Sequence, residues 1–282
     1  MDYKKAFIDP EIEIGNEFFP DIYNIKIKSH NENLIGTILT ATGKGPNPAV
    51  ILLHGFPGYE DNHDLAHGLR RAGLNVLVFH YRGCWGVKGS FSFENCIEDV
   101  KSAIDYLFKE ETLKKYLIDK NNVFIVGHSM GGFLTLNCCN DDRIKASVAI
   151  SPYDFGLKGC VMREDKKELI DGIAMFSSAM DPLNGTNVMT LINETMKNGD
   201  NWNLRNKASN LAKEKLLIIA ASGDTIGPIS LHHIPLINEI NKYKNNVKEV
   251  IVDTDHSYSN KRIYLTNIVC KYIEGIIKEE AY

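Results

Sequence analysis

The chain has 282 residues, 44% hydrophobic and 24% charged, enough for one large domain or two modest ones. A net charge of −4 and a pI near 6.1 give no electrostatic reason to expect nucleic acid or an anionic membrane as partner. No apolar run approaches the roughly 20 residues that span a bilayer, and the first ten residues lack the apolar core of a signal peptide.

The six cysteines, at 84, 96, 138, 139, 160 and 270, form no C-x-x-C pair and no regular framework. They read as reduced thiols of a cytoplasmic protein, without the ligand spacing of a zinc site, so neither metal nor cofactor is expected.

Residues 1 to about 21 show no strong periodicity and read as an arm. Residues 22–28 alternate apolar and polar, and 34–40 form a second strand after a turn at 30–33, which predicts an antiparallel hairpin. Residues 49–53 are continuously apolar, as in a central strand covered on both faces. A helix over 64–72 closes at Gly73, and 75–79 is another buried strand. Residues 92–109 predict a long amphipathic helix with Ile97, Val100, Ile104, Leu107 and Phe108 on one face. A strand over 123–126, a helix over 133–139 and a strand over 146–150 follow. Alternation of this kind predicts a mostly parallel sheet with right-handed crossovers, whose chemistry sits at the carboxyl ends of the strands.

Residues 152–213 break that rhythm with a helical pattern. Five of the seven methionines lie there (Met162, Met175, Met180, Met189, Met196), with Phe176 and Trp202. This segment predicts a helical cap inserted into a core domain of residues 1–151 and 214–282. Thioether side chains suit an adaptable apolar wall. Met162, Met175, Phe176, Met180 and Trp202 are therefore candidate substrate contacts, with Tyr59 and Trp85 from the core. The sheet resumes over 216–221. Residues 229–243 predict a helix irregular at Pro235, 248–252 the last strand, and 260–278 an amphipathic helix. Its apolar side is expected to carry Ile263, Ile268, Val269, Tyr272, Ile273 and Ile276.

Between a buried strand and a helix sits Gly-x-Ser-x-Gly, at Gly127, Ser129 and Gly131. Glycines on both sides allow a sharp turn that exposes the Ser129 hydroxyl at a helix N-terminus, where the Met130 amide can meet a developing oxyanion. A serine needs a base, and the base needs a carboxylate. Of nine histidines, His256 follows the last strand on the same sheet edge as Ser129. Asp224, after the preceding strand, is the expected acid, with Asp154 after the sixth strand as its rival. Arg82 is expected to brace its loop by a salt bridge rather than to hold a substrate carboxylate.

The order Ser, Asp, His, together with His54-Gly55-Phe56-Pro57-Gly58, Tyr81-Arg82-Gly83 and Gly127-His128-Ser129-Met130-Gly131-Gly132, resembles the α/β-hydrolase superfamily from about residue 22 to the C-terminus. Within it, the pattern is most similar to cinnamoyl/feruloyl-type esterases and to the hydrolase domains related to acylaminoacyl peptidases. The resemblance implies an α/β fold with a mostly parallel eight-stranded sheet, and a second oxyanion donor from the Phe56 amide. It implies a serine hydrolase that cleaves esters of small, largely uncharged acyl groups, aromatic or hydroxycinnamoyl groups among them. A small peptidase or amidase is the nearest alternative, and a non-catalytic binding protein on the same fold a remote one. The expected partner is a small-molecule ester, with a homodimer admitted as an assembly.

Overall fold

Period-2 alternation in the first two strands sets up the sheet edge. Ile22–Ser29 (β1) pairs antiparallel with Glu32–Leu39 (β2), Ile22 opposite Leu39 and Ser29 opposite Glu32. The computed structural model describes residues 1–9 and 18–279. Strand β2 also runs antiparallel to Asn75–Phe79 (β4), which lies beside Asn47–Leu53 (β3). Ile118–His128 (β5), Ala146–Ile150 (β6), Leu216–Ala221 (β7) and Lys248–Val252 (β8) complete a parallel run, in the order β1-β2-β4-β3-β5-β6-β7-β8. This is the eight-stranded, mostly parallel sheet that the sequence predicts.

Because successive side chains in a strand point to opposite faces, each central strand feeds two cores. Val50 and Leu52 of β3, Phe124 and Val126 of β5, and Leu217 and Ile219 of β7 pack on one face. Ala49, Ile51, Val123, Ile125, Leu216 and Ile218 pack on the other. The first face is covered by His63–Arg71 (α1) and, at the C-terminus, Arg262–Glu279; the second by Phe93–Leu107 (α2) and, after β5, by Met130–Cys138. Between α2 and β5 lies Glu110–Lys115 (α3), a short helix beyond the end of the one predicted over 92–109. Tyr116 fills the adjoining core.

Numbering onward, Met130–Cys138 is α4, and five helices separate β6 from β7: Phe155–Glu164 (α5), Lys166–Ser177 (α6), Val188–Lys197 (α7), Gly199–Trp202 (α8) and Ala208–Leu211 (α9). Their buried side chains, including Phe155, Phe176, Leu191, Ile192 and Trp202, join the same core as Phe93 and Phe133. Asp154 closes the insertion at both ends: its Oδ1 accepts the Leu157 amide at 2.9 Å and its Oδ2 the Leu204 amide at 3.0 Å.

The predicted helix over 229–243 is two short ones, Ile229–His232 (α10) and Ile234–Ile240 (α11), because Pro235 lies at the start of the second and has no amide to continue the first. In the last helix, Arg262–Glu279 (α12), Val269, Tyr272, Ile273 and Ile276 are buried, but Ile263 is 75% exposed. It stands off the stripe that faces the sheet. Of the expected N-terminal arm, Tyr3–Phe7 forms a 3-10 turn that buries Ala6. Residues 10–17 lie outside the described residues.

Candidate active site

The turn from β5 into α4 is made by Ser129 alone, with φ +58° and ψ −115°. A positive φ strains any residue with a Cβ, at a cost on the order of 1–3 kcal/mol, so the surroundings must hold it. They do so at both ends of the peptide: Ser129 N–H donates to Ile150 O at 2.9 Å, and Ser129 O accepts from Phe133 N and Tyr153 N at 3.0 and 3.1 Å. The flanking glycines answer to space. A Cβ on Gly127 would lie 2.1 Å from Gly131 O, and one on Gly131 would lie 2.2 Å from Leu53 O. Gly55 lets the chain pass close beside the serine, since a Cβ there would sit 3.1 Å from Ser129 Cβ. Among the described residues, neither the Met130 nor the Phe56 amide is hydrogen-bonded. Both candidate donors are therefore free.

At the ends of β7 and β8, Asp224 and His256 meet. His256 Nδ1–H donates to Asp224 Oδ2 at 2.6 Å. Asp224 Oδ1 accepts the Ile226 and Gly227 amides at 2.9 and 2.7 Å. Burial pushes the Asp224 carboxyl up, but the His256 hydrogen bond and charge, with the two amides, outweigh it and hold the carboxyl below its ordinary range. Asp224 stays ionised, and the proton fixed on Nδ1 leaves His256 Nε2 as a lone pair. Asp154, the rival, makes no hydrogen bond to this pair among the described residues, its carboxylate being taken up by the two amides of the insertion. Burial raises its pKa to about 6.

Three tethers to different elements pin the loop that carries His256. His128 Nε2–H donates to His256 O at 2.8 Å. Tyr258 OH and Ser151 Oγ share a hydrogen bond at 3.0 Å. Arg262 donates to Ser257 O at 3.0 Å while gripping Asp64 with Nε and Nη2 at 2.8 and 2.5 Å. Neither His128 nor Arg262 stands out in the sequence. A tether between loops 128 residues apart carries no local signal. Arg82 braces its loop, its Nε 2.6 Å from Asp99 Oδ1 and its amide 2.7 Å from Asp99 Oδ2.

A cavity of about 600 Å³ opens beside Ser129. Of the seven candidate substrate contacts, Tyr59 and Met175 line it, together with Phe56. The other five do not. Trp85 packs edge-on against Tyr59 and donates Nε1–H to Pro57 O at 2.8 Å. Phe176 is fully buried against Phe56, Phe93 and Phe155. Trp202 meets Phe93 and Phe133 edge-on, Met162 lies under Gly172, and Met180 packs against the same core. The four from the insertion fill its seam with the sheet, whereas Trp85 stays partly exposed. The wall also carries Lys158, Glu168, Asp171 and His232, which the sequence did not single out. Lys158 Nζ donates to Glu168 Oε2 at 2.5 Å. The two residues lie on separate helices, so neither periodicity nor spacing announces the pair.

A strained serine at a helix N-terminus, two free amides beside it and a histidine oriented by a buried carboxylate are the parts that acyl transfer through a covalent intermediate requires. The model of the alpha/beta hydrolase family matches residues 50–214, more than half of the chain. The chain belongs to the alpha/beta hydrolase family. The match covers the Phe56 turn and the Ser129 elbow and stops short of Asp224 and His256. Esterase EstD of Thermotoga maritima is 26% identical over 188 residues, 62% of this chain and 43% of that protein. Acylamino-acid-releasing enzyme 1 of rice is 34% identical over 99 residues, 31% of this chain and 12% of that protein. The chain thus spans less than half the length of these curated relatives. Alpha/beta hydrolase architecture is also evident in solved structures. A Pyrococcus furiosus esterase superposes with a TM-score of 0.66 at 19% identity, covering 95% of this chain and 97% of that one. Est1E from Butyrivibrio proteoclasticus superposes with a TM-score of 0.64 at 17% identity, over 90% and 99%. No helix among the described residues is long and apolar enough to cross a membrane.

Proposed function

We propose that this alpha/beta hydrolase is a serine esterase that cleaves carboxylic esters of small acyl groups. The observation that carries the reading is the buried 2.6 Å hydrogen bond from His256 to Asp224, on the sheet edge that also bears the Ser129 elbow. Ser129 Oγ attacks the acyl carbon as His256 Nε2 takes its proton. The amides of Phe56 and Met130 receive the negative charge on the carbonyl oxygen. His256 returns the proton to the departing alcohol, and water, activated by the same Nε2, releases the acid. Asp224 stabilises the imidazolium formed in both half-reactions. The mainly apolar wall formed by Phe56, Tyr153, Phe155, Met175 and Leu231 favours a largely uncharged acyl group, aromatic groups included. Reduced cysteines, all six of them free, fit a cytoplasmic setting.

A second reading, a small peptidase or amidase, draws on Lys158, Glu168 and Asp171 in the cavity wall, which a charged peptide terminus would have to draw out of their ion pairs. One panel separates the two: nitrophenyl esters of rising chain length, methyl hydroxycinnamates and aminoacyl anilides, offered to wild type and Ser129→Ala at neutral pH. Ester turnover that disappears in the variant is expected. Anilide turnover of comparable efficiency would favour the peptidase. Ester turnover surviving Ser129→Ala would move the nucleophile elsewhere.

A further inference from the structure

One wall of the cavity holds a donor that nothing among the described residues satisfies. His232 ends α10, eight residues after Asp224, and is only 3% exposed. Its Nδ1 accepts the Asp154 amide at 3.0 Å. Only an unprotonated ring nitrogen can accept that bond, so the proton of the neutral ring sits on Nε2. Burial lowers its pKa to about 3, so the ring stays neutral near pH 7. The Tyr153 ring, 4.3 Å away centre to centre, fixes the plane of the imidazole. Among the described residues Nε2 has no hydrogen-bond partner, yet it is not one of the buried side-chain atoms sealed without one. His232 lines the cavity beside Ser129.

The other charged groups of the wall are already engaged. Lys158 and Glu168 neutralise each other, and Asp171 pairs with Lys167 at 2.6 Å. The cavity also lies on a definite side of the reacting carbon. A leaving alcohol must come within reach of His256, which does not belong to the cavity wall, whereas Ser129 and Phe56 do. The cavity is therefore placed for the acyl chain. A buried donor left unpaired costs about 1–3 kcal/mol, and a site that expects an acceptor penalises a substrate without one.

We propose that His232 is a specificity-determining residue of the esterase described above, its Nε2–H donating to an oxygen carried by the acyl chain. The preferred substrates are then esters of ether-, hydroxy-, oxo- or amide-bearing acids rather than plain alkanoates. The inference rests on the esterase reading, and the test keeps the two apart. Nitrophenyl heptanoate and its 3-, 4- and 5-oxa analogues are compared by kcat/KM in wild type, His232→Asn and His232→Gln. Asn retains an acceptor where Nδ1 stands but its amide N–H falls short of the Nε2 position; Gln retains a donor where Nε2 stands. Dividing each wild-type ratio by the same ratio in His232→Asn cancels the intrinsic reactivity of the oxa esters. One oxa isomer is expected to keep an advantage of about tenfold after that division. His232→Gln should retain part of it.

Wild-type turnover with no such advantage would overturn the role of His232 and leave the esterase standing. Should His232→Asn not fold, wild type alone decides. Heptyl fluorophosphonate and its oxa analogues, in which the remote oxygen barely alters phosphorus, should then label Ser129 at unequal rates, and equal rates would overturn the proposal. No turnover and no labelling would remove the esterase reading and this one with it.

Discussion

Asp154 and Asp224 are both buried carboxylates just beyond neighbouring strands, and the partner each faces separates them. Asp224 meets an imidazole, whereas Asp154 meets two backbone amides. Asp224→Asn should lower kcat for esters by about 10³–10⁴, because the amide side chain no longer holds the ring with its proton on Nδ1. Asp154→Asn should leave kcat within a few-fold and lower unfolding stability by about 1–3 kcal/mol, the cost of losing a cap and a buried acceptor. Steady-state kinetics and urea unfolding on both variants check the pair. A large kcat loss in Asp154→Asn with Asp224→Asn active would reverse the assignment. The sequence placed both residues at the sheet edge. It could not choose between them by contact, since the choice depends on how loops 32 residues apart are brought together.

The elbow and the insertion are the two elements where local pattern and tertiary packing contribute differently. Gly-x-Ser-x-Gly was legible because each glycine answers to a clash within a few residues or with the adjacent strand. Gly131→Ala should therefore prevent folding or lower the melting temperature sharply, its Cβ falling 2.2 Å from a main-chain oxygen of β3. Near-wild-type melting would contradict that packing. Ser129→Gly should melt above Ser129→Ala, by the equivalent of about 1 kcal/mol, because glycine accepts φ +58° without strain. The insertion was legible as helical and methionine-rich, but not in the direction of its side chains. Phe176 and Trp202 point into the seam with Phe93, so Phe176→Ala should cost about 3–5 kcal/mol by leaving a cavity in a shared core. Denaturant unfolding measures this, and a loss below about 1 kcal/mol would show that the insertion packs independently.

For the molecule as a whole, buried neutral histidines set the response to acid. His54, His128 and His232 each titrate near 3 in the folded chain, chiefly through burial, against about 6.5 when unfolded. Between those values the unfolded chain binds more protons than the native one at these three groups. The stability tied to these groups is therefore complete above about pH 6.5 and falls as pH drops toward 3. Each contributes about 1.4 kcal/mol per pH unit in that range. The urea midpoint should fall steeply between pH 7 and pH 5, and a flat midpoint would sink this account.

The sequence by itself determined the α/β class, the antiparallel start of the sheet, the run of helices between the sixth and seventh strands and the sharp serine turn. Each of these depends on spacing along the chain: a period of two in strands, a longer apolar stripe in helices, and glycine where a Cβ has no room. Only the tertiary structure decided which carboxylate faces His256, what pins that loop, and which side chains line the cavity. Those facts concern groups up to about two hundred residues apart, as Arg262 and Asp64 are, and no local pattern encodes the direction in which such side chains finally point.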